Sequence, residues 1–163
     1  MVIDEMNAWG FLVSERHKLR RSPDKSLDNA RKSIVKRIRS YVDSSDESDE
    51  ISTALRKIPG DLAFYYISTL YTSIIPDDYR SDKGIFYTPP ALVNRLISQL
   101  EYHIDRPWSS LRIIDPACGG GAFIIPIVRK IIEDEKPDKD KMQGILDENI
   151  RGVDIDPTGT EIT

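Results

Sequence analysis

A strand, a glycine turn and a helix are written into Leu111-Arg112-Ile113-Ile114-Asp115-Pro116-Ala117-Cys118-Gly119-Gly120-Gly121-Ala122-Phe123. The first five residues, LRIID, are short, apolar and partly β-branched, which predicts a strand over 111–115. They run into a proline and, three residues on, three glycines. Ala122–Glu133 then carries apolar residues at helical spacing. Pro126 falls in or just after its first turn, where a missing amide costs least. A polar loop over Pro137–Lys141, a short helix over 141–149 and a second strand over Ile150–Ile155 follow. The order is β-α-β, which implies parallel strands and a right-handed crossover.

An acid at a strand end, a glycine turn and a helix amino terminus together suit ligand binding. Glycines let backbone approach a ligand with no Cβ in the way. The first turn of a helix offers free N–H groups to a carboxylate or phosphate. In open parallel sheets, ligands sit at such strand ends. The same three glycines also suit a tight strand-to-helix turn that binds nothing. A dinucleotide fingerprint fits poorly: Gly119-x-Gly121 is followed by Ile124 where a third glycine belongs, and the next strand-end acid, Asp154, is too far along. A ligand with an amino-acid head and a ribose fits better. Asp115 is placed to accept from its ammonium group and Asp154 from both ribose hydroxyls.

DPACGGGAF closely resembles the cofactor loop of the S-adenosylmethionine-dependent N6-adenine DNA methyltransferases. Two further stretches match in the same order. Gly84-Ile85-Phe86-Tyr87-Thr88-Pro89-Pro90 is similar to the family element that lines the methionine end of the cofactor. Gly152-Val153-Asp154-Ile155-Asp156-Pro157 is similar to its second-strand element, whose first acid binds the ribose. The resemblance covers roughly residues 60–163. It implies that Tyr87, Thr88 and Pro89 meet the methionine moiety, that Asp115, Ala117, Gly119 and Gly121 form the cofactor loop, and that Asp154 holds the ribose with Ile155 against the adenine. Gly120 stands where the family usually has serine or threonine. That loses a hydroxyl and keeps the turn permissive.

The resemblance also marks an absence. The family receives its target amine on an Asn/Asp/Ser-Pro-Pro-aromatic tetrapeptide, whose aromatic stacks on the flipped base. No such tetrapeptide occurs in these residues, and Pro89-Pro90 is followed by Ala91. The acid expected after a third strand is absent too. No catalytic residue is therefore assigned. Two strands alone are marginal in water and leave apolar edges unpaired. The expectation is the opening β-α-β of an incomplete Rossmann-like domain, belonging to a longer or split enzyme whose complete form acts on double-stranded DNA. Its partner would be the missing carboxy-terminal portion or a specificity subunit. Two alternatives stay open: a methyltransferase fragment acting on RNA or protein, and a non-catalytic interaction or relic module.

Upstream, residues 60–109 read as a helical lead-in. Asp61 is expected to cap a helix with the stripe Leu62, Tyr65, Tyr66, Leu70 and Ile74, ended by Pro76. Thr88-Pro89 opens another, with Leu92, Val93, Leu96, Ile97, Leu100 and Ile104 on its apolar side. Residues 1–59 read as a separate basic helical region. Helices are expected over 3–19, over 22–41 and through Ile51–Ile58. Residues 15–41 hold ten Lys/Arg against three acids, and 43–50 is an acidic stretch read as a solvated linker. Arg16, Lys18, Arg20, Arg21, Lys32, Lys36 and Arg39 suit either a grip on DNA phosphates or the solvated face of an amphipathic helix.

Composition excludes several classes. The 163 residues carry a formal charge of 23 − 27 = −4, with 39% hydrophobic and 31% charged residues, the balance of a globular chain. Cys118 is the only cysteine, so no internal disulfide forms, and two histidines with one cysteine give no metal-ligand spacing. Ala122–Val128, interrupted by Pro126, is the longest apolar run, far below the roughly 18 residues that span a bilayer. Met1–Val13 has acids and no Lys or Arg, unlike a secretory signal. A cytoplasmic protein is expected.

Overall fold

The computed structural model describes residues 50–162 and, before them, the separate positions 10, 13, 28, 29, 31, 32, 35 and 36, all helical. The rest of the helices expected over 3–19 and 22–41, and residues 43–49, lie outside the described residues. Glu50, expected at the end of the linker, opens a helix. Among the described residues the fold is mostly helical with one two-stranded parallel sheet. Contacts gather the chain into two units, Met1–Tyr87 and Thr88–Glu161, each with its own core. Among the described residues no helix is long and apolar enough to cross a membrane.

The first unit contains α1 (Glu50–Leu55), α2 (Gly60–Ile74) and α3 (Asp77–Lys83). Prolines punctuate it: Pro59 and Pro76 occupy the positions before α2 and α3, and neither helix has a side-chain cap there. The expectation that Asp61 caps α2 is thus corrected by two residues. Proline's fixed φ sets the entry that a capping side chain would otherwise set. Helix α3 was not expected, because DDYRSDK has no apolar stripe. Its charges fit its ends, with Asp77 and Asp78 in the first turn and Lys83 in the last. Gly84, at φ 64°, then turns the chain so that the Ile85 N–H donates to the Arg80 carbonyl at 3.0 Å.

Helix α2 buries Ala63, Ile67, Leu70 and Tyr71, while Leu62, Tyr66 and Ile74 are only partly buried. The expected stripe was turned by about one residue. Apolar and aromatic residues surround most of this helix, so its pattern alone does not select one face.

The second unit opens with α4 (Pro90–Glu101), preceded by Pro89 rather than by a Thr88 cap. Only Val93 and Ile97 of its apolar side are buried. Leu92, Leu96 and Leu100 stay largely exposed, and Ile104 lies beyond the helix. A 3₁₀ turn, Trp108–Ser110, leads into β1 (Ile113–Asp115). Helix α5 (Ile124–Glu135) follows, burying Ile124, Ile127 and Ile131 at spacings of three and four. Each such side chain contributes roughly 1.5–3 kcal/mol of burial. Pro126 is the third residue of α5, within its first turn as expected. Lys136 ends α5 in the left-handed region, and Asp138 caps α6 (Lys139–Asn149), its carboxylate accepting from the Lys141 N–H at 2.8 Å.

Strand β2 (Ile150–Gly152) pairs in parallel with β1, with Ile113 opposite Ile150 and Asp115 opposite Gly152. Both strands are shorter than expected, three residues each instead of 111–115 and 150–155. Past Gly152 the Val153 N–H still reaches the Asp115 carbonyl, and the chain bends at Ile155 and Asp156. A last helix, α7 (Pro157–Ile162), follows.

Side chains brace the sheet's entrance. The Glu135 carboxylate accepts from both the Ser109 N–H, at 3.0 Å, and the Ser109 hydroxyl. Asn149 donates to the Ser109 carbonyl at 2.8 Å. The ends of α5 and α6 are thus tied to the turn before β1. Lys130 reaches Glu101 of α4 at 2.5 Å and Asp134 at 3.4 Å. The hydrogen bond to Glu101 holds the Lys130 ammonium above the ordinary lysine value. Partial burial opposes the rise and Asp134 adds to it.

Candidate functional site

At the carboxyl ends of the two strands the following loops are laced together. The Val153 N–H donates to the Asp115 carbonyl and the Cys118 N–H to the Val153 carbonyl, both at 2.9 Å. The Asp115 side chain accepts from the Ala117 N–H at 3.1 Å, a local turn that aspartate after a strand favours. Gly119 and Gly121 take φ values of 51° and 76°, a region where a Cβ is strained. Between them the Gly121 N–H closes a tight turn on the Cys118 carbonyl at 2.8 Å. The Gly121 carbonyl then accepts from Ile125 at 2.9 Å, starting α5, whose amino end has no side-chain cap. This is the strand–turn–helix that residues 111–133 predict.

The second loop meets the first through one carboxylate. Asp154 accepts from the Gly119 N–H through Oδ2 and from the Asp156 N–H through Oδ1, each at 2.8 Å. Asp156 is buried and its carboxylate accepts from the Thr158 N–H at 3.3 Å, while its carbonyl accepts from Gly159. Those bonds start α7. Behind Asp154 lies Gly159, where a Cβ would stand 3.2 Å from both the Asp154 Cγ and the Gly119 carbonyl oxygen. Gly152 is tighter still. A Cβ there would stand 2.9 Å from Ile124 Cδ1 and 3.0 Å from the Cys118 sulfur. Cys118 is thereby a buried packing residue of the loop.

Asp115, Ala117, Gly119, Gly121, Asp154 and Ile155 all stand at this end of the strands. Ile155 is 68% exposed and Val153 52% exposed, so the exit of β2 presents apolar surface beside an acid. Thr88 and Pro89 stand at the head of α4 in the same unit, and Tyr87 is the last residue of the other unit. Of the basic residues singled out in the sequence, Lys32 and Lys36 are exposed on a helix, and Lys32 pairs with Asp28 at 3.0 Å. Arg16, Lys18, Arg20, Arg21 and Arg39 lie outside the described residues. Arg31, not singled out, donates to the Tyr79 hydroxyl at 3.0 Å and lies over its ring.

Three residues of the site receive no role from the sequence: Gly152 and Asp156, which lie in the element quoted for Asp154, and Gly159. Asp156-Pro157 is a cap-plus-proline signal and was legible in principle. The need for the two glycines arises chiefly in the tertiary structure: Gly152 meets Ile124 and Cys118, about 30 positions away, and Gly159 meets the Gly119 carbonyl, 40 positions away, as well as Asp154 five positions before it.

The arrangement sets an acceptor carboxylate beside an exposed apolar side chain. The Asp154 carboxylate accepts only, as a diol requires. Ile155 beside it offers an apolar face, while Gly119 is partly buried and Gly121 buried in the turn.

A model of the N-6 DNA Methylase family matches residues 70–163. A Type II methyltransferase, M.VspI of Vibrio sp. (strain 343), is 28% identical over 97 residues, which cover 60% of this chain. The match spans 20% of that protein, so the chain corresponds to about a fifth of its relative's length. No solved structure is matched.

Proposed function

Because the chain belongs to the N-6 DNA methylase family, we propose that it forms the cofactor side of an S-adenosylmethionine-dependent methyltransferase acting on the N6 amine of adenine in DNA, in a restriction–modification setting. The observation that carries this reading is the Asp154 carboxylate, which joins the glycine loop beside the exposed Ile155. In this reading Asp154 accepts from the ribose hydroxyls and Ile155 packs on the adenine. The loop of Asp115, Ala117, Gly119 and Gly121 receives the amino-acid end, and Thr88 and Pro89 border the methionine side. When bound, S-adenosylmethionine supplies an electrophilic methyl group on its sulfonium. This chain's part is to bind and orient it. Residues 110–163 then correspond to the first β-α-β of a Rossmann-like domain and 60–109 to its lead-in. Double-stranded DNA, and a carboxy-terminal portion or specificity subunit, are the partners of the complete enzyme.

Calorimetric titration of the 163-residue chain with S-adenosylhomocysteine tests the reading. Saturable binding is expected with a Kd on the order of 0.1–1 mM, about 4–5 kcal/mol of affinity. A parallel titration with NAD is expected to show none, and no methyl group should pass to duplex DNA from the isolated chain. Binding of NAD in preference to S-adenosylhomocysteine would overturn the assignment.

A further inference from the structure

We infer that Asp154 is a positioning residue as well as a ligand contact: its carboxylate latches the glycine loop in its binding shape before any ligand arrives. Both oxygens accept backbone N–H groups at 2.8 Å, one from Gly119 across 35 residues of chain and one from Asp156 two residues on. The first ties the loop after β1 to the loop after β2, at a glycine whose φ of 51° is not a conformation most residues hold. The second turns the chain after β2 into the start of α7, and Gly159 of that helix packs behind the carboxylate, where even a Cβ would be 3.2 Å from Asp154 Cγ. The side chain is therefore held from behind and bonded on both oxygens.

A carboxylate has about four acceptor sites, so two such bonds leave the others for hydroxyl donors. That a diol takes those sites rests on the cofactor reading. The latch does not. Charge-assisted bonds to backbone amides are among the stronger kinds. Fixing the loop in advance lowers the ordering cost of binding.

Amide hydrogen exchange of the ligand-free full chain, read by NMR, tests the latch. Asp154→Asn keeps the shape but has one acceptor oxygen and an NH₂ facing the other donor. In this variant the Gly119 or the Asp156 amide should exchange roughly tenfold faster, the loss expected for one charge-assisted bond. In Asp154→Ala both should. The Val153 and Cys118 amides, bonded backbone to backbone, should keep their rates in the Asn variant, which serves as the fold control. The Gly119 amide proton should also shift upfield, while Gly121, bonded to the Cys118 carbonyl, stays. Equal acceleration of all four amides, or of none, would overturn the inference. Since no ligand is present, failure of the latch and failure of the titration above are separately visible.

Discussion

Adding one methyl group at Gly152 probes how the two strands meet the glycine loop. An alanine Cβ there would stand 2.9 Å from Ile124 Cδ1, 3.0 Å from the Cys118 sulfur and 3.2 Å from Cys118 Cβ. Both neighbours are buried, so neither has free space to enter. Ile124 Cδ1 can rotate at some cost. Cys118 Cβ moves only with its backbone, whose N–H is bonded to the Val153 carbonyl. Overpacking of this kind costs typically 1–3 kcal/mol, and because one neighbour is a side-chain tip we expect about 1–2 kcal/mol. For a chain of this size that lowers Tm by roughly 2–4 °C per kcal/mol. The assay is urea and thermal unfolding of Gly152→Ala, Ile124→Val and the double variant. Ile124→Val removes the methyl that clashes and by itself costs about 0.5–1.5 kcal/mol. Combined with Gly152→Ala it should cost less than the sum, by roughly 0.5–1 kcal/mol of coupling. An unchanged Tm for Gly152→Ala, or strict additivity in the cycle, would refute the close approach.

Two further outcomes follow from the braces around the sheet. Glu135→Ala leaves the Ser109 N–H and hydroxyl without their shared acceptor and should destabilise by about 1–3 kcal/mol in urea unfolding. Ser109→Ala, which loses the hydroxyl bond alone, should cost less, and the reverse order would argue against the clamp. Lys130 carries a raised pKa, so its contribution is fully present below the ordinary lysine value of about 10.4 and is lost as pH rises through the raised one. The stability gap between the native chain and Lys130→Met should hold from roughly pH 8 to 10 and shrink above that range. A gap constant to higher pH would mean that the pairing with Glu101 contributes nothing.

Local chemistry made much of the site legible. LRIID before a run of glycines can only be extended backbone entering a turn, and Gly119 and Gly121 do take the left-handed values such a turn needs. Pro126 fell within a first turn because nowhere else in a helix is a missing N–H so cheap. Packing choices were less legible. Helix α2 has apolar residues on most of its circumference, and its buried face differed by a residue from the expected stripe. Helix α4 offers two adjacent apolar rows, of which the unit buries only Val93 and Ile97. Helix α3 has charged ends and no stripe, so periodicity passed over it.

Sequence by itself determined the order strand, glycine loop, helix, helix, strand, and the residue types at each strand end. Those depend on side-chain volume, backbone freedom and charge within a few positions of one another. Tertiary structure alone decided that Gly119 should meet Asp154, that Gly152 must lack a Cβ because Ile124 and Cys118 occupy its space, and that Gly159 must lie against the Asp154 carboxylate. Each of these joins positions about 5 to 40 residues apart, through the pairing of Asp115 with Gly152. A shift of one residue in that register would turn Asp154 to the other face and leave the loop without its anchor.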